Sequence, residues 1–321
     1  MNYRKLGKTD LRVSELGFGA SAVGGMYEKI DEVEALKAIR QAFDRGITYF
    51  DSSPAYGRPT SPYGPATSET ILGRVLKELE RSEFVLSTKA GKFSSLPPKL
   101  DFSYDAIVQS VESSLKRLQV DYIDILILHD IEYDKGRHLK TALDEGLEAL
   151  KDLKKQGKIG HHGISCYSVV VLEQVIQDYD LDVVLVHNHY TLSDNLLLDL
   201  LPKIQYKGMG LINASPFASG LLTSQGPPDW HPISSEDLDT VRKALDYCKI
   251  NKVPIEKLAL QYVLSNPDIP TTLFSCSTQQ IVNQNINWSE EPVNLAMIEE
   301  LKILLQPIRN RDFDFGGYND Q

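Results

Sequence analysis

Short apolar segments alternate with amphipathic helical segments along most of the chain, and this alternation constrains the fold more than any other feature. Eight of the apolar segments have the length and composition of buried β-strands. They lie at residues 16–19, 47–52, 84–89, 124–129, 161–165, 183–188, 210–215 and 271–275. Because consecutive parallel strands need a long crossover, usually a helix, the alternation predicts a parallel sheet.

The helical segment at residues 103–120 shows the pattern clearly. Ile107, Val111, Leu115 and Leu118 recur at helical spacing and form a single apolar stripe. A stripe of this kind packs one face of a helix against a sheet and leaves the other face in water. Eight such strand and helix units within 321 residues predict an α/β protein with a (β/α)₈ TIM barrel.

An open, doubly wound sheet is the alternative to a barrel. It requires a glycine-rich turn that enters a helix directly, and Gly17, Gly19 and Ala22 match the GxGxxA pattern after the first strand. The next residues have the composition of a loop until a helix begins near Asp31, so no helix N-terminus is placed to bind a pyrophosphate. We therefore expect a barrel with an N-terminal β-hairpin, and no linker divides residues 1–321 into more than one domain.

Composition excludes several classes of function. The chain has 44 acidic and 34 basic residues and a net charge of -10, and the basic residues are scattered, which argues against nucleic-acid binding. The three cysteines are far apart, so neither a disulfide framework nor a CxxC metal or redox pair is expected. No segment has the apolar length of a signal peptide or a membrane span. We expect a soluble, cytoplasmic protein that acts on a small molecule.

Polar residues close the second, third and fourth predicted strands. These residues are Asp51, Lys89 and His129, and Tyr56 follows in the loop after the second strand. Each one alone could be an ordinary turn, surface or rim residue. In a barrel, however, the C-terminal ends of the strands meet at one mouth, where active sites lie. The four side chains are therefore expected to converge on one site.

These four side chains suggest an acid/base site. A free tyrosine has a pKa of about 10, and a nearby ammonium group such as Lys89 would favour its phenolate form. Asp51 would hold Lys89 in place, and His129 would orient a substrate oxygen. The set predicts a general acid/base centre that acts on a hydroxyl or a carbonyl group.

In this order on successive strands, the four residues resemble the catalytic tetrad of the aldo-keto reductases, which are NAD(P)-dependent (β/α)₈ oxidoreductases. The similarity covers essentially the whole chain and is strongest to the aldose 1-dehydrogenases of the family, among them the L-galactose dehydrogenases. The segments that carry it are GFGAS, SSPAYG, STKAGKF, YIDILILHDIE, NASPFASGLLTSQGPPDWHP and KLALQYVLSNPDI.

The resemblance implies that a nicotinamide dinucleotide lies across the barrel mouth. The residues expected to bind it are Gly19, Ala20, Asp51, Ser165, Cys166, His187, Ser215, Phe217, Gly220, Leu221, Ser275, Ser277, Gln284 and Asn285. Three positions depart from the usual family pattern. Cys166 replaces an Asn, His187 replaces a Gln, and Ala214 replaces the aromatic residue that stacks on the nicotinamide. A thiol replaces an amide poorly as a hydrogen-bonding group, so the contact at Cys166 would be weaker.

The last strand and helix bear on the choice between NAD and NADP. Family members that prefer NADP carry a cationic residue just after strand eight and an Arg about one helical turn before an Asn. Here these positions hold Ser275, Ile281 and Asn285. Without a cation to pair with the 2'-phosphate, the chain is expected to prefer NAD over NADP.

The activity that the resemblance implies is oxidation of the C1 hydroxyl of an aldose to a lactone, with Tyr56 as the acid/base group. The aldose would be of the L-galactose, L-fucose or D-arabinose type. Tyr56, His129, Trp230 and His231 would contact it, although the last two could instead anchor their loop. Phe313 and Phe315 of the C-terminal tail could close one side of the pocket.

Three alternatives remain open from the sequence. One is an NAD(P)H-dependent reductase of a small aldehyde or ketone, and another is a non-catalytic, cofactor-binding subunit of the same family. The third is a metal-dependent hydrolase, because His187 and His189 are two residues apart and would share one face of a strand. Strand one has no histidine and no carboxylate closes strand eight, so no bound metal is expected. We expect a monomer or a weak homodimer.

Overall fold

A computed structural model of the chain describes residues 1–27, 29–95 and 97–313. The strands of this part of the chain are β1 Tyr3–Lys5, β2 Arg12–Ser14, β3 Leu16–Gly19, β4 Tyr49–Asp51, β5 Val85–Ala90, β6 Lys92–Ser95, β7 Pro98–Leu100, β8 Ile123–Leu128, β9 Ile159–Cys166, β10 Val183–His187, β11 Gly210–Ala214 and β12 Thr271–Ser275. The helices are α1 Glu32–Asp44, α2 Thr67–Leu76, α3 Tyr104–Leu118, α4 Leu139–Thr141, α5 Leu147–Lys155, α6 Val169–Asp178, α7 Leu197–Tyr206, α8 Ser235–Ile250, α9 Ile255–Leu264, α10 Gln279–Glu290 and α11 Leu295–Leu304. A π-helical stretch, Ala142–Gly146, connects α4 to α5.

Within the described residues, eight parallel strands close into a barrel. Its members are β3, β4, β5, β8, β9, β10, β11 and β12, and each one pairs with the next along this series. Pairing of β12 with β3, with Ser275 opposite Gly19, completes the circle. The predicted (β/α)₈ barrel is confirmed, and the alternative open sheet is wrong. Residues 20–27 form turns, and α1 begins only at Glu32, with its first turn capped by Asp31.

The predicted strands match the observed ones with small shifts at their ends. The expected segment 47–52 shortens to β4, whereas the expected segment 161–165 lengthens to β9. The hairpin of β6 and β7, which follows β5 directly, was not predicted. Its sequence is polar and contains two prolines, so it lacks the apolar alternation that marks a strand.

Side chains alternate between the inside and the outside of the barrel, as the period of two along a strand requires. Outward residues pack under the helices. The inward residues form a separate apolar cluster that includes Tyr49, Val85, Ile125, Ile127, Val183, Leu185, Ile212 and Leu273. The barrel interior is therefore a packed apolar core, and the polar side chains that could act on a substrate lie at the ends of the strands.

The N-terminal hairpin contributes to this inner core. β1 pairs with β2 antiparallel, which confirms the predicted hairpin. Leu6 and Val13 are fully buried and belong to the inner cluster. Leu6 packs against Gly210, where an added Cβ would lie 2.7 Å from Leu6 Cγ. Because Gly210 begins β11, the hairpin covers the N-terminal end of the barrel and leaves the opposite mouth open.

Among the described residues, no helix has the length and apolar character needed to cross a bilayer.

Leu6 provides a test of this arrangement. We expect Leu6→Ala to lower the free energy of unfolding by about 2–5 kcal/mol, because it leaves a cavity in the inner core. Urea unfolding measures the change. The matched control is Leu295→Ala on α11, where the side chain is 64% exposed and the change should stay within about 0.5 kcal/mol. Equal effects of the two variants would contradict the packing described here.

Candidate active site

The four residues expected at the barrel mouth converge there. Asp51 ends β4, Lys89 lies near the end of the neighbouring strand β5, and His129 follows β8 directly. Lys89 Nζ donates hydrogen bonds to Asp51 Oδ2 and, at 3.0 Å, to the carbonyl oxygen of Ser52. The side chains of Lys89 and Asp51 are 1% and 3% exposed. This is a buried, hydrogen-bonded ion pair.

Tyr56 lies between this ion pair and His129. Its ring is nearly perpendicular to the ring of His129, with the two centroids 5.5 Å apart. Lys89 Nζ lies 4.8 Å from the centroid of the Tyr56 ring. The turn that follows β4 holds Tyr56 in place, because its backbone N–H donates to the carbonyl oxygen of Ser53 at 3.1 Å.

A hydrogen-bond chain inside the barrel supports Asp51. Ser87 Oγ on β5 donates to Asp51 Oδ1 at 2.6 Å, and the hydroxyls of Tyr49 and Ser87 are 2.8 Å apart. Both carboxylate oxygens of Asp51 therefore have partners, as a buried carboxylate requires. The register of β4 against β5 places Asp51 opposite Ser87 and determines this contact.

His129 is held in one orientation by the same turn. Ser53 Oγ lies 3.0 Å from Nδ1 of His129 and also accepts a hydrogen bond from the backbone N–H of Ala55 at 3.1 Å. The Ser53 hydroxyl hydrogen is thus available for Nδ1, and this arrangement favours a proton on Nε2. Burial lowers the pKa of His129 well below its usual value, so the ring is neutral at pH 7.

The protonation of Tyr56 differs from the sequence expectation. Burial, followed by the negative charges of Asp51 and Asp130, raises the pKa of Tyr56 well above its usual value. Lys89 lies over the face of the ring, and its positive charge was expected to lower the pKa of Tyr56. The expectation of a lowered pKa is therefore wrong for this structure, where the phenol is neutral at pH 7.

A second ion pair, which was not predicted, lies on the other side of His129. Lys92 Nζ is 2.8 Å from Asp130 Oδ2, and Ser165 Oγ donates to Asp130 Oδ1 at 3.1 Å. His129 Nε2 is 3.5 Å from Asp130 Oδ2. Although burial acts to raise it, the pKa of Asp130 is held well below its usual value by the charge of Lys92. The sequence contained a signal for this pair, since Asp130 follows His129 directly and Lys92 is three residues after Lys89.

The residues expected to hold the nicotinamide separate into two groups. Ser165 points into the barrel and bonds to Asp130 at the mouth. Cys166 is the next residue along β9 and so faces outward, where it packs in the cluster under the helices together with Ile164. Its thiol donates to the carbonyl oxygen of Ser168 at 3.2 Å. Correcting the prediction, we conclude that the Cys166 side chain does not face the mouth, because strand alternation turns it away.

His187 ends β10, lies opposite Ala214 and is half-buried at the mouth. Burial lowers the pKa of His187 to about 4, so the ring is neutral at pH 7. The Tyr167 ring lies 5.3 Å from it, centroid to centroid. Tyr167 is an aromatic residue that sequence reasoning did not identify, and it lies near the position where Ala214 replaces the usual stacking residue.

The alternative of a metal site shared by His187 and His189 finds no support in the described part of the chain. His189 Nδ1 lies 3.2 Å from Asp194 Oδ2, and Nε2 lies 2.8 Å from the carbonyl oxygen of Tyr167, so both ring nitrogens have partners. The backbone turns at Asn188, with φ of 68°, and His187 and His189 no longer share a strand face. Among these residues, no group of three or more His, Cys, Asp or Glu side chains has a geometry that could hold a metal ion.

The loop after β11 has an unusual backbone. Ser215 has a φ of 63° and Gly220 a φ of 94°. The N–H groups of Gly220 and Leu221 donate within the loop, to Phe217 and Ala218 carbonyl oxygens at 3.1 and 3.0 Å. A phosphate bound here by these amides would share or replace those bonds. Phe217 packs on two apolar clusters and anchors the loop.

The end of β12 and the start of α10 carry the remaining positions expected to bind the cofactor. Ser275 Oγ accepts a hydrogen bond from the Ala22 N–H at 2.8 Å, and Ser277 lies two residues later. On α10, Gln284 is exposed and Asn285 is buried. Asn285 Nδ2 donates to the carbonyl oxygen of Ile281 at 3.1 Å, whereas Asn285 Oδ1 has no hydrogen-bond partner within the described residues.

These residues fit a dinucleotide. A buried amide oxygen without a partner suits a donor such as the amino group of an adenine. Gly19 pairs with Ser275 and Asp51, and the next N–H, of Ala20, donates to the Asp51 carbonyl oxygen at 2.8 Å. The Gly19 and Ala20 backbone thus lies beside both the tetrad and the end of β12.

Trp230 and His231 occupy different environments. Trp230 is 52% exposed and stacks on Tyr27, with ring centroids 6.2 Å apart and an angle of 19° between the planes. This contact joins the loop after β11 to the loop after β3. His231 is buried, with its ring 5.0 Å from the Phe313 ring, and Phe315 lies outside the described residues. The structure thus supports a loop-anchoring position for His231 and an exposed one for Trp230.

Comparison with known proteins identifies the same family by sequence and by structure. Residues 15–306 match the Aldo/keto reductase family. The chain is 39% identical to L-galactose dehydrogenase of Arabidopsis thaliana over 98% of this chain and 97% of that protein. It is 29% identical to D-threo-aldose 1-dehydrogenase of Pseudomonas sp, over 92% and 96%. The holo form of aldo-keto reductase AKR11C1 from Bacillus halodurans superposes with a TM-score of 0.76 at 27% identity, over 100% of this chain and 99% of that one.

The lowered pKa of His187 makes stability depend on pH. Its pKa is about 4 in the folded chain and about 6.5 when unfolded, so the unfolded state binds the proton more readily as the pH falls. Between pH 7.5 and pH 5 this should lower the free energy of unfolding by up to about 2 kcal/mol. We expect His187→Gln to lose less stability than wild type over this range, as measured by urea unfolding at both pH values. If His187→Gln has the same pH dependence of stability as wild type, the lowered pKa of His187 is contradicted.

Proposed function

The chain belongs to the aldo/keto reductase family of oxidoreductases, which use nicotinamide cofactors, and from this premise we propose that it oxidises the C1 hydroxyl of an aldose to the lactone with NAD⁺. The observation that carries the proposal is the convergence of Tyr56, His129 and the Lys89–Asp51 ion pair at the barrel mouth. This arrangement can move a proton at an oxygen while hydride leaves the adjacent carbon.

The relatives support an aldose as the substrate class. Both curated relatives are named as dehydrogenases of an aldose, and each aligns with more than nine-tenths of this chain. The proposed substrate is an aldose of the L-galactose, L-fucose or D-arabinose type in its cyclic form. Oxidation breaks the C1–H bond, forms the C1 carbonyl of the lactone, and releases NADH and a proton.

The roles of the side chains follow from their positions. His129, neutral and with its proton on Nε2, donates a hydrogen bond to the C1 oxygen and orients it. Tyr56 takes the proton from that oxygen, and Lys89, held by Asp51, keeps a positive charge beside the phenol ring. When bound, NAD⁺ supplies the hydride acceptor and a further positive charge. Because burial and two carboxylates raise the pKa of Tyr56, the reactive phenolate becomes more abundant as pH rises, and so should the rate of oxidation.

The raised pKa of Tyr56 also favours a second candidate function. A neutral phenol is ready to donate a proton to a carbonyl oxygen, as an NAD(P)H-dependent reductase of a small aldehyde or ketone requires. The two functions differ in their response to pH. Oxidation needs the phenolate and accelerates with rising pH, whereas reduction needs the phenol and slows once Tyr56 loses its proton.

The proposed preference for NAD depends on α10. Ile281 lies one helical turn before Asn285 and is 41% exposed. Ser275 occupies the other position at which a cation would pair with a 2'-phosphate. Neither side chain carries charge, so a phosphate dianion bound here would have no ionic partner at these two positions.

Tyr56→Phe tests the proposed mechanism. The variant removes the hydroxyl and should lower kcat for aldose oxidation by about 10²-fold or more, with binding of NAD⁺ unchanged. NADH formation is measured from pH 6 to pH 10 with L-galactose, L-fucose and D-arabinose, and cofactor binding by fluorescence. The wild-type rate should rise with pH over this range. A wild type that oxidises no aldose, or a variant of equal rate, would contradict the proposal.

Ile281→Arg tests the basis of cofactor choice. A charge-assisted hydrogen bond to the 2'-phosphate contributes about 1.5–3 kcal/mol, so kcat/KM with NADP⁺ should rise about 10- to 100-fold relative to NAD⁺. Ile281→Gln has a polar side chain without charge and serves as the matched control, with little change expected. A wild type whose kcat/KM with NADP⁺ equals or exceeds that with NAD⁺ would contradict the preference.

A further inference from the structure

Neither member of the ion pair of Lys92 and Asp130 donates or accepts the proton in the transfer proposed above. Lys92 opens β6 and Asp130 lies in the loop after β8, and the two meet at the barrel mouth beside His129. The two side chains are 9% and 14% exposed. Burying a charged pair this close to a reaction centre costs free energy of desolvation. This cost suggests that the pair has a function separate from that of the tetrad.

The environment of Asp130 directs its carboxylate towards the site. Its backbone adopts a φ of 50°, a left-handed conformation that is uncommon for residues other than glycine. One contact then holds the backbone and two hold the side chain. Ser165 accepts from the Asp130 N–H at 2.9 Å and donates to Oδ1 at 3.1 Å, and Lys92 binds Oδ2 at 2.8 Å. Lys92 Nζ is itself 4.2 Å from the centroid of the Tyr133 ring.

The Asp130 carboxylate lies close to His129 but is not strongly hydrogen-bonded to it. Oδ2 of Asp130 lies 3.5 Å from Nε2 of His129, which is too long for a strong hydrogen bond. An oxygen bound to the Nε2 proton would lie next to the Asp130 carboxylate. An ionised carboxylate only accepts hydrogen bonds, and the pKa of Asp130 is held low by Lys92. The group best suited to this position is a hydroxyl on the carbon next to the reacting one.

We propose that Asp130, held in place by Lys92, accepts a hydrogen bond from the C2 hydroxyl of the aldose and so selects sugars over simple alcohols. This inference rests on the proposed function, because it assumes that an aldose oxygen is bound at His129. The tetrad acts at C1 and is indifferent to C2, whereas a carboxylate beside it recognises the vicinal pair of oxygens that distinguishes an aldose. Asp130 is thus a specificity-determining residue, and Lys92 is its positioning residue.

The test compares L-galactose with 2-deoxy-L-galactose in wild type and in Asp130→Asn. Asn tolerates the left-handed backbone and keeps the size of the side chain, but it removes the charge. Wild type should prefer L-galactose in kcat/KM by about 10- to 100-fold, the range expected for a hydrogen bond to a charged group. In Asp130→Asn this preference should fall by about tenfold, and Lys92→Met should lower it as well. Dividing the wild-type ratio by the variant ratio cancels the intrinsic difference in reactivity between the two sugars.

The matched control is Asp124→Asn at the opposite end of β8. Asp124 pairs with Arg81 at 2.5 Å, so this variant also removes a carboxylate from an ion pair, and it should leave the preference unchanged. Thermal unfolding and NAD⁺ binding verify that each variant is folded. Two results overturn the inference while the proposed function stands: a wild type that oxidises both sugars equally well, or Asp130→Asn with an unchanged preference, as expected if Asp130 only positions Ser165. A wild type that oxidises neither sugar contradicts the proposed function itself.

Discussion

The buried ion pair between Lys89 and Asp51 is the interaction on which the rest of the site depends. Removing two charges from water is costly, and such a pair persists only where hydrogen bonds satisfy its remaining atoms. Here Ser52 and Ser87 do so. Removing either charged partner would leave the other buried and unpaired, which is strongly destabilising. Because Asp51 and Lys89 lie on the adjacent strands β4 and β5, the parallel pairing of these two strands is the condition for assembling the ion pair.

Two lysine and aspartate pairs flank Tyr56 and His129, the groups proposed to act on the substrate oxygen. The first is Lys89 with Asp51, and the second is Lys92 with Asp130. The reaction groups lie between them in a region shielded from water, where fixed charges act strongly. The two carboxylates add to burial in keeping Tyr56 protonated. This links substrate recognition to proton transfer, since Asp130 affects both the tyrosine and the position proposed for the sugar.

Much of this arrangement was predictable from the sequence. Eight apolar segments at regular spacing specify a barrel, and polar residues at the ends of three successive strands identify the mouth, because strand ends in a barrel must meet. The failures concern properties that spacing does not encode. The polar hairpin of β6 and β7 lacks a strand pattern. Cys166 was assigned to the cofactor although it alternates with Ser165, and so faces the helices.

The sequence by itself determined the fold, the four polar side chains proposed to react and the end of the barrel at which they meet, because all three follow from the order and period of residues along the chain. Only the tertiary structure decided how these groups are protonated and which neighbours they acquire. Tyr56 remains a neutral phenol because burial and two carboxylates, one at the end of β4 and one in the loop after β8, outweigh one lysine beside its ring. The pKa of Tyr56 depends on how deeply the ring is buried and on its distances from these charges. Separation along the chain does not specify either quantity.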